Sequence, residues 1–498
     1  MSTGWRLLLL SLPFAACVGI IAWISGPMEF DFLDGTEFAN CTDELSVPHP
    51  PGYPLFMFLL KAASPLVPCT TLDYRCLRIV TVFIAAAGTI TGAFVMGGLG
   101  AGVFAGVLGS FLFFTMGAVM DQLNLLEVHG LSILLALVAI LLRKSRCGPY
   151  MLSLSIFGGH PVSALLAPVV LSRRYLQRWL ILAAIPASLW LFVPLRSTFY
   201  ALCHYSRPRT TYVLWKYFTL YGGKFTALSP RAADAMFSYV GPISLAVLLA
   251  FLLMSGRVRW RLLAASSVGF IFLSFYYMGD TNSLLWIPLL PLCIWAADGI
   301  RTLASRGRAA AVLAAVMVAV SALSGTVRAW RADDNSASVL ARDMTRGVGF
   351  KGVYISIGFL TFNTAYLLDV LDLRPDILPM DEYECYFRIP PPPFYPAQVA
   401  GRDVFTNRGW DQDSLEPHGL LFSATPGEID WSIYDVFNLE APVHDSYASQ
   451  EIFEAWAKRA IQSRNDPVEY QRCIDEASVW LDPAEALVRI EKLSRNVQ

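Results

Sequence analysis

Charge is scarce in this chain. Only 15% of its 498 residues are Asp, Glu, Lys or Arg, while 55% are hydrophobic and the mean hydropathy is +0.49. That balance excludes an ordinary soluble globular protein. Acids and bases nearly cancel at a net charge of −1, so bulk charge identifies no partner. Several catalytic signatures are missing as well. There is no GxxxxGK[ST] loop, no HExxH, no CxxC and no GxSxG elbow, which removes support for nucleotide hydrolysis, zinc proteolysis and serine hydrolysis. No internal repeat is evident: neither the acidic first loop nor the Gly-Gly-His-Pro sequence at 158–161 has a second copy.

What is present in abundance is apolar sequence gathered into runs of membrane length, about 17–20 residues each. They are Leu7–Ser25, Ile79–Gly98, Gly102–Met120, Asn124–Leu142, Trp179–Leu195, Ala235–Met254, Leu262–Met278, Ser283–Ile300 and Ala309–Val327. The first is read as a retained span, because no small-residue cleavage site follows it. Arginine-rich clusters border these runs at Arg143–Arg146, Arg173–Arg178, Arg257–Arg261 and Arg301–Arg308. The positive-inside rule puts all of them in the cytoplasm, which requires Met151–Leu171 to enter and leave the bilayer on one side. Its two apolar halves are each about half a bilayer long and meet at Gly158-Gly159-His160-Pro161. A re-entrant helical hairpin with His160 at its tip satisfies both length and charge.

The expected architecture is an all-α polytopic membrane domain of about nine spans plus this hairpin, with the N-terminus cytoplasmic. It occupies residues 1–327, with a first extracytoplasmic loop at 26–78, and residues 328–498 form an extracytoplasmic C-terminal domain. Pro54–Ala63 reads as a short helix along the outer interface. In the tail, Gly352–Ile357 reads as a strand, Phe362–Leu373 as a helix and Asp376–Met380 as a second strand. That order predicts a small α/β unit, followed by a Pro-rich connector at 390–393 and closing helices at Glu451–Ser463 and Pro467–Lys492. Six of nine cysteines (Cys41, Cys69, Cys76, Cys203, Cys385 and Cys473) fall on the outer side, where disulfides are permitted.

The first loop concentrates the chemistry. Asp31, Asp34, Glu37, Asp43 and Glu44 precede a rigid run, His49-Pro50-Pro51-Gly52-Tyr53-Pro54. Asp34 and Glu37 are three apart and share a face in a helical turn. A carboxylate at the membrane surface suits a general base; the plainer role for Asp34 is to cap a helix beginning near Thr36. The same acids offer ligands to a divalent cation, although the spacing does not demand one. Asn40-Cys41-Thr42 is a glycosylation sequon. Glu127, beside His129, is an ionisable residue inside a span and so a functional candidate. His160 joins it if the hairpin tip reaches a cavity below Glu127 and Asp34; on its own it reads as a capping or buried histidine. The loop 196–234 breaks the charge rule: Arg196, Arg207, Arg209, Lys216, Lys224 and Arg231 lie outside, interleaved with tyrosines and a tryptophan. Cations for a phosphate and rings for a sugar fit a lipid-linked sugar phosphate, and attraction to anionic headgroups is the alternative. Nucleic acid has no place on this side of the membrane.

These residues resemble the transmembrane O-mannosyltransferases that modify immunoglobulin-like domains of plexin-type receptors, together with their bacterial relatives, within the GT-C glycosyltransferase superfamily. His49–Leu55 matches the family's His-Pro-Pro-Gly-Tyr-Pro-Leu run in full. Asp34-Gly35-Thr36-Glu37 keeps both acids of its Asp-Ser-Gly-Glu-type motif, Glu127-Val128 matches a Glu-Val element, and Gly159-His160 matches a later turn. The resemblance covers residues 27–220 and extends weakly to Arg374-Pro375-Asp376. It implies a GT-C fold, a polyprenyl- or dolichyl-phosphate-linked sugar donor, a protein or glycan acceptor, and inverting displacement on the extracytoplasmic side. In that scheme Asp34 is the base and Glu37 orients it. His49, Tyr53, Glu127 and His160 line the site, and Arg196, Arg207, Arg209 and Lys216 hold the departing phosphate. The implied location is a bacterial inner membrane or, in a eukaryote, the endoplasmic reticulum. Two other functional classes compete: a transporter or flippase of lipid-linked sugars, and a scaffold whose outer domain binds surface partners.

Overall fold

Apolar runs dictate helices, because a chain in hydrocarbon must satisfy its backbone internally. The computed structural model describes residues 2–27, 29–30, 34–45, 48, 53–66, 74–171, 179, 183–191, 224–225, 230–277, 282–332, 334–356, 360–371, 373–381, 402–407, 416–423, 430–439 and 446–480. Within these, the fold is mostly helical with a small sheet. Four helical stretches are long and apolar enough to cross a membrane: Thr3–Ser25, Tyr74–Phe114, Asn282–Ala304 and Arg308–Arg328. Ala232–Val240 with Pro242–Met254 makes a fifth if that bent pair counts as one span.

Helix α1 (Thr3–Ser25) is followed by the short α2 (Gly35–Glu44) and α3 (Pro54–Ala63) and packs along α4 (Tyr74–Met96). The stretch from α4 into α5 (Gly102–Phe114) folds back on itself. Gly100 and Gly102 take φ values of 107° and 79°, which side-chain-bearing residues rarely adopt. The Ser110 hydroxyl then donates to the Thr89 carbonyl at 2.7 Å across the hairpin, so the sequence division at 98–102 holds.

Three expected elements differ. The run Asn124–Leu142 is helical only from His129: after α6 (Gly117–Leu123) the chain unwinds through 124–128 before α7 (His129–Leu141). Ala235–Met254 is not one straight span but bends by 101° at Gly241, where the Arg328 guanidinium donates to the Ser238 carbonyl at 2.6 Å. The tail helix starts at Leu360 and widens into a π-turn over Tyr366–Val370. Most of Trp179–Leu195 lies outside the described residues.

The break at His160 is present. Helix α8 (Cys147–Leu154) runs into a π-turn at Ser155–Gly159, His160 is extended, and a tight helix at Pro161–Leu166 leads to α9 (Ala167–Val170). The chain folds back there: the Ser155 hydroxyl bonds the Ser163 hydroxyl at 2.8 Å, and α8 packs on α9.

A buried polar junction ties the end of α1 to the chain leaving the last long helix. Arg331 Nε lies 2.7 Å from Asp121 Oδ1, and the Arg331 amide donates to the Ser25 carbonyl at 2.6 Å. Asn124 donates to the Ala329 carbonyl at 2.5 Å, and Asn282 donates to Asp121 Oδ2 at 3.3 Å.

Strands β1 (Lys224–Phe225) and β2 (Tyr276–Tyr277) pair antiparallel, and in the tail β3 (Val353–Ser356) lies between β4 (Leu378–Asp381) and β5 (Val404–Thr406), parallel to both. The helix and π-turn 360–370 form the crossover between β3 and β4. Strands β6 (Glu416–His418) and β7 (Leu421–Ser423) extend the sheet antiparallel in the order β4-β3-β5-β7-β6. Helices Ser446–Gln462 and Pro467–Trp480 pack on each other. The tail does not keep its core to itself. Phe38, Tyr53, Phe56, Tyr74 and Leu126 belong to one buried apolar cluster with Tyr354, Tyr366, Phe405 and Trp456.

Candidate active site

The acidic loop folds into α2 (Gly35–Glu44), with Asp34 in the capping position. Its carboxylate makes no capping hydrogen bond to the helix, which removes the plainer role for this residue. Asp34 is half-buried and Glu37 fully buried in the first turn of this helix. Asp31 and His49 lie outside the described residues, as do the side chains of Asp43 and Glu44. The sequon is a poor acceptor: Cys41 and Thr42 are buried inside α2, and the Thr42 hydroxyl donates to the Phe38 carbonyl at 2.6 Å.

Tyr53 closes the rigid run at φ 38° and ψ 53°, a left-handed backbone that costs a bulky residue about 1–3 kcal/mol and survives only where surroundings enforce it. The following Pro54 already disfavours the right-handed region. The ring is fixed on two sides. It stacks on His160 with centroids 6.0 Å apart and 23° between planes, and it meets Phe38 edge-on at 5.6 Å. His160 lies in turn 4.9 Å from the His129 ring, while its Nδ1 accepts from the Val162 amide at 3.3 Å. Tyr53, His160 and His129 thus form a buried column reaching the start of α7.

Glu127 does not sit one turn inside a helix. It lies in the unwound segment before His129, buried, and so at a break where backbone and side chain both face the protein interior. Tyr74 links this segment to the acids. Its hydroxyl accepts from the Leu126 amide at 3.3 Å. Its ring lies so close to Gly35 that an added Cβ there would fall 2.4 Å from Cε2. The neighbours of Glu127 and of Asp34 therefore rest on one ring. The remaining expected residues, Arg196, Arg207, Arg209 and Lys216, lie outside the described residues.

Four residues of this region escaped sequence reading. Tyr74 looked like an ordinary aromatic at a span's end. Arg78 is buried within α4 and donates to the carbonyls of Pro27 (2.6 Å), Ala22 (3.0 Å) and Trp23 (3.1 Å), capping α1 and fixing where the first loop departs. Asn363 accepts from the Thr36 hydroxyl at 2.8 Å, and the Tyr366 hydroxyl accepts from the Tyr74 amide at 2.9 Å. Both bonds bring the tail onto the acidic helix, and no local pattern announces a pairing across 327 residues.

Among the described residues no group of three His, Cys, Asp or Glu side chains is placed to hold a metal ion. Cys76, at the start of α4, is disulfide-bonded, whereas Cys41 and Cys473 form no disulfide.

Residues 34–99 match the family model described as the N-terminal domain of the protein O-mannosyl-transferase TMEM260. No curated protein matches the chain. The matched stretch begins at Asp34 and takes in Glu37, Tyr53, Tyr74 and Arg78. The resemblance to O-mannosyltransferases is borne out there, and it supports glycosyl transfer to protein by a multi-pass membrane protein.

Proposed function

We propose that this chain transfers a hexose, mannose or a close relative, from a polyprenyl- or dolichyl-phosphate donor to an acceptor hydroxyl, with protein Ser or Thr as the acceptor class. The observation that carries the reading is that the matched segment opens at Asp34, an acid at a helix start that does not cap its own helix. The reaction is a single inverting displacement. The acceptor oxygen attacks the anomeric carbon, the bond from that carbon to the phosphate oxygen breaks, and polyprenyl phosphate departs with the bonding pair. Asp34 takes the hydroxyl proton as attack proceeds, a contribution worth about 10²–10⁴-fold in rate. Glu37, one turn on, orients Asp34 or the acceptor. Glu127 and the Tyr53–His160 stack line the donor side. Arg196, Arg207, Arg209 and Lys216 stabilise the departing phosphate, and His49 borders the same pocket. The site faces the extracytoplasmic side, in keeping with the disulfide on Cys76 at the edge of the first loop. Residues 1–327 are the catalytic membrane domain and 328–498 an outer domain packed on it.

The test is release of polyprenyl phosphate by purified full-length protein supplied with a panel of polyprenyl-phosphate sugars and a Ser/Thr peptide mixture. Turnover by wild type and its loss in Asp34→Asn, at unchanged thermal unfolding, is the expected result. Equal turnover in both removes Asp34 as the base. Movement of lipid-linked sugar across liposomes without any transfer would instead identify a flippase.

A further inference from the structure

We propose that the tail lends the reaction a positioning residue, Asn363, which holds the acidic helix from outside the membrane domain. The proposal rests on the reading of Asp34 and Glu37 as reacting acids. Thr36 sits between them, and its hydroxyl donates to Asn363 Oδ1 at 2.8 Å with both residues fully buried. A bond at the centre of the Asp34–Glu37 turn fixes the rotation of α2 about its axis, and with it the direction of both carboxylates. Neighbouring contacts keep Asn363 itself in place. The Tyr366 hydroxyl accepts from the Tyr74 amide at 2.9 Å, and its ring meets Phe30 edge-on at 5.4 Å.

The other end of the same amide argues against a purely architectural role. Asn363 Nδ2 is buried with no hydrogen-bonding partner among the described residues. A donor left that way is costly, and a serine, threonine or apolar residue at this position would have avoided it. Bonded to Thr36, which lies between the two acids of the matched segment, the amide leaves its spare N–H for an oxygen of the bound acceptor or sugar. The tail is then part of the catalytic centre rather than a separate module.

The test uses full-length protein with polyprenyl-phosphate mannose and a Thr-containing peptide mixture, and pairs two variants with two readouts. Asn363→Ala removes both functions of the amide. It is expected to lower kcat about 10²-fold at a donor KM within about twofold of wild type, as for a misplaced catalytic group. Amide exchange over residues 35–44 should rise in step. Asn363→Asp keeps an acceptor for Thr36, and so keeps the fold, but replaces the donor with a third carboxylate. It is expected to move the acidic limb of the kcat–pH profile upward by about one unit, which a loss of packing would not do. Unchanged exchange and kcat in the first variant, or an unmoved acidic limb in the second, overturns the proposal. Raised exchange in a protein whose wild type transfers no sugar from any donor would instead strike at the glycosyltransfer reading and leave Asn363 as the anchor of α2.

Discussion

Asp121 and Asp34 are two acids of the helical region that the fold holds in different ways. Asp121 is buried with a partner on each oxygen: Arg331 on one, Asn282 and Gln122 on the other. Asp34 starts a helix whose amides it does not cap, on a turn held instead from outside by Asn363 and against the ring of Tyr74. The first carboxylate is locked by the fold, and its neighbours hold it still. The second sits at the start of α2 without capping it. In a chain with so few charges, that contrast separates an acid that joins helices from an acid at the start of a helix in the family-matched segment.

The comparison can be broken most sharply by exchanging loss of activity for loss of stability. Asp34→Asn should abolish transfer, by about 10²–10⁴-fold, with thermal unfolding in detergent unchanged. Arg331→Ala should do the reverse. It leaves a buried carboxylate unpaired and should cost about 3–5 kcal/mol of stability, read as a fall in the unfolding midpoint, while the protein that remains folded keeps its donor KM.

Asp343 in the tail sharpens the contrast, because it is a locked acid whose lock is incomplete. Its carboxylate is fully buried and accepts from the Val436 amide at 2.6 Å and from Arg346 at 2.9 Å. Burial still pushes its pKa up, from 3.8 to about 6, with those two partners pulling it back. The folded tail therefore binds this proton more tightly than the unfolded chain. Its contribution is full below about pH 4 and is lost as pH rises through about 6, on the order of 2–3 kcal/mol. Amide exchange over 336–347 should be slower at pH 5.5 than at pH 7.5 after correction for the intrinsic rate. Asn at this position should flatten the difference. Smallest of all is Tyr74→Phe, which deletes the acceptor for the Leu126 amide. The stability cost should be about 1 kcal/mol, with a drop in kcat that exceeds it if the 124–128 segment carries Glu127 out of register.

How much of this was legible depended on the range of the cause. The break at His160 was legible because Gly158-Gly159-His160-Pro161 cannot continue a helix whatever surrounds it. The turn between α4 and α5 was legible for the same local reason. The unwinding at 124–128 was not, since Leu125, Leu126 and Val128 are as apolar as the helix that follows. What unwinds that stretch is tertiary: Asn124 bonded to Ala329, and Leu126 bonded to Tyr74. The acids of the first loop were found as a motif. Their partners in the tail were not, because Asn363 and Tyr366 look like ordinary residues of an amphipathic helix until the chain is folded.

Arg78 carries a consequence for the order in which the protein is made. The carbonyls at the end of α1 and at Pro27 wait for a guanidinium that lies about fifty positions later. Gly26 leaves the space for it: an added Cβ would meet Arg78 Nη2 at 1.9 Å. During synthesis α1 is made before α4, and the carbonyls at its C-terminal end stay hydrated until α4 has packed beside it. The first loop therefore cannot settle as it is made; it matures only once two hydrophobic segments have met. A substitution at Gly26 or Arg78 should register as a biogenesis defect, with poorly matured protein held back and degraded, more than as a slower enzyme.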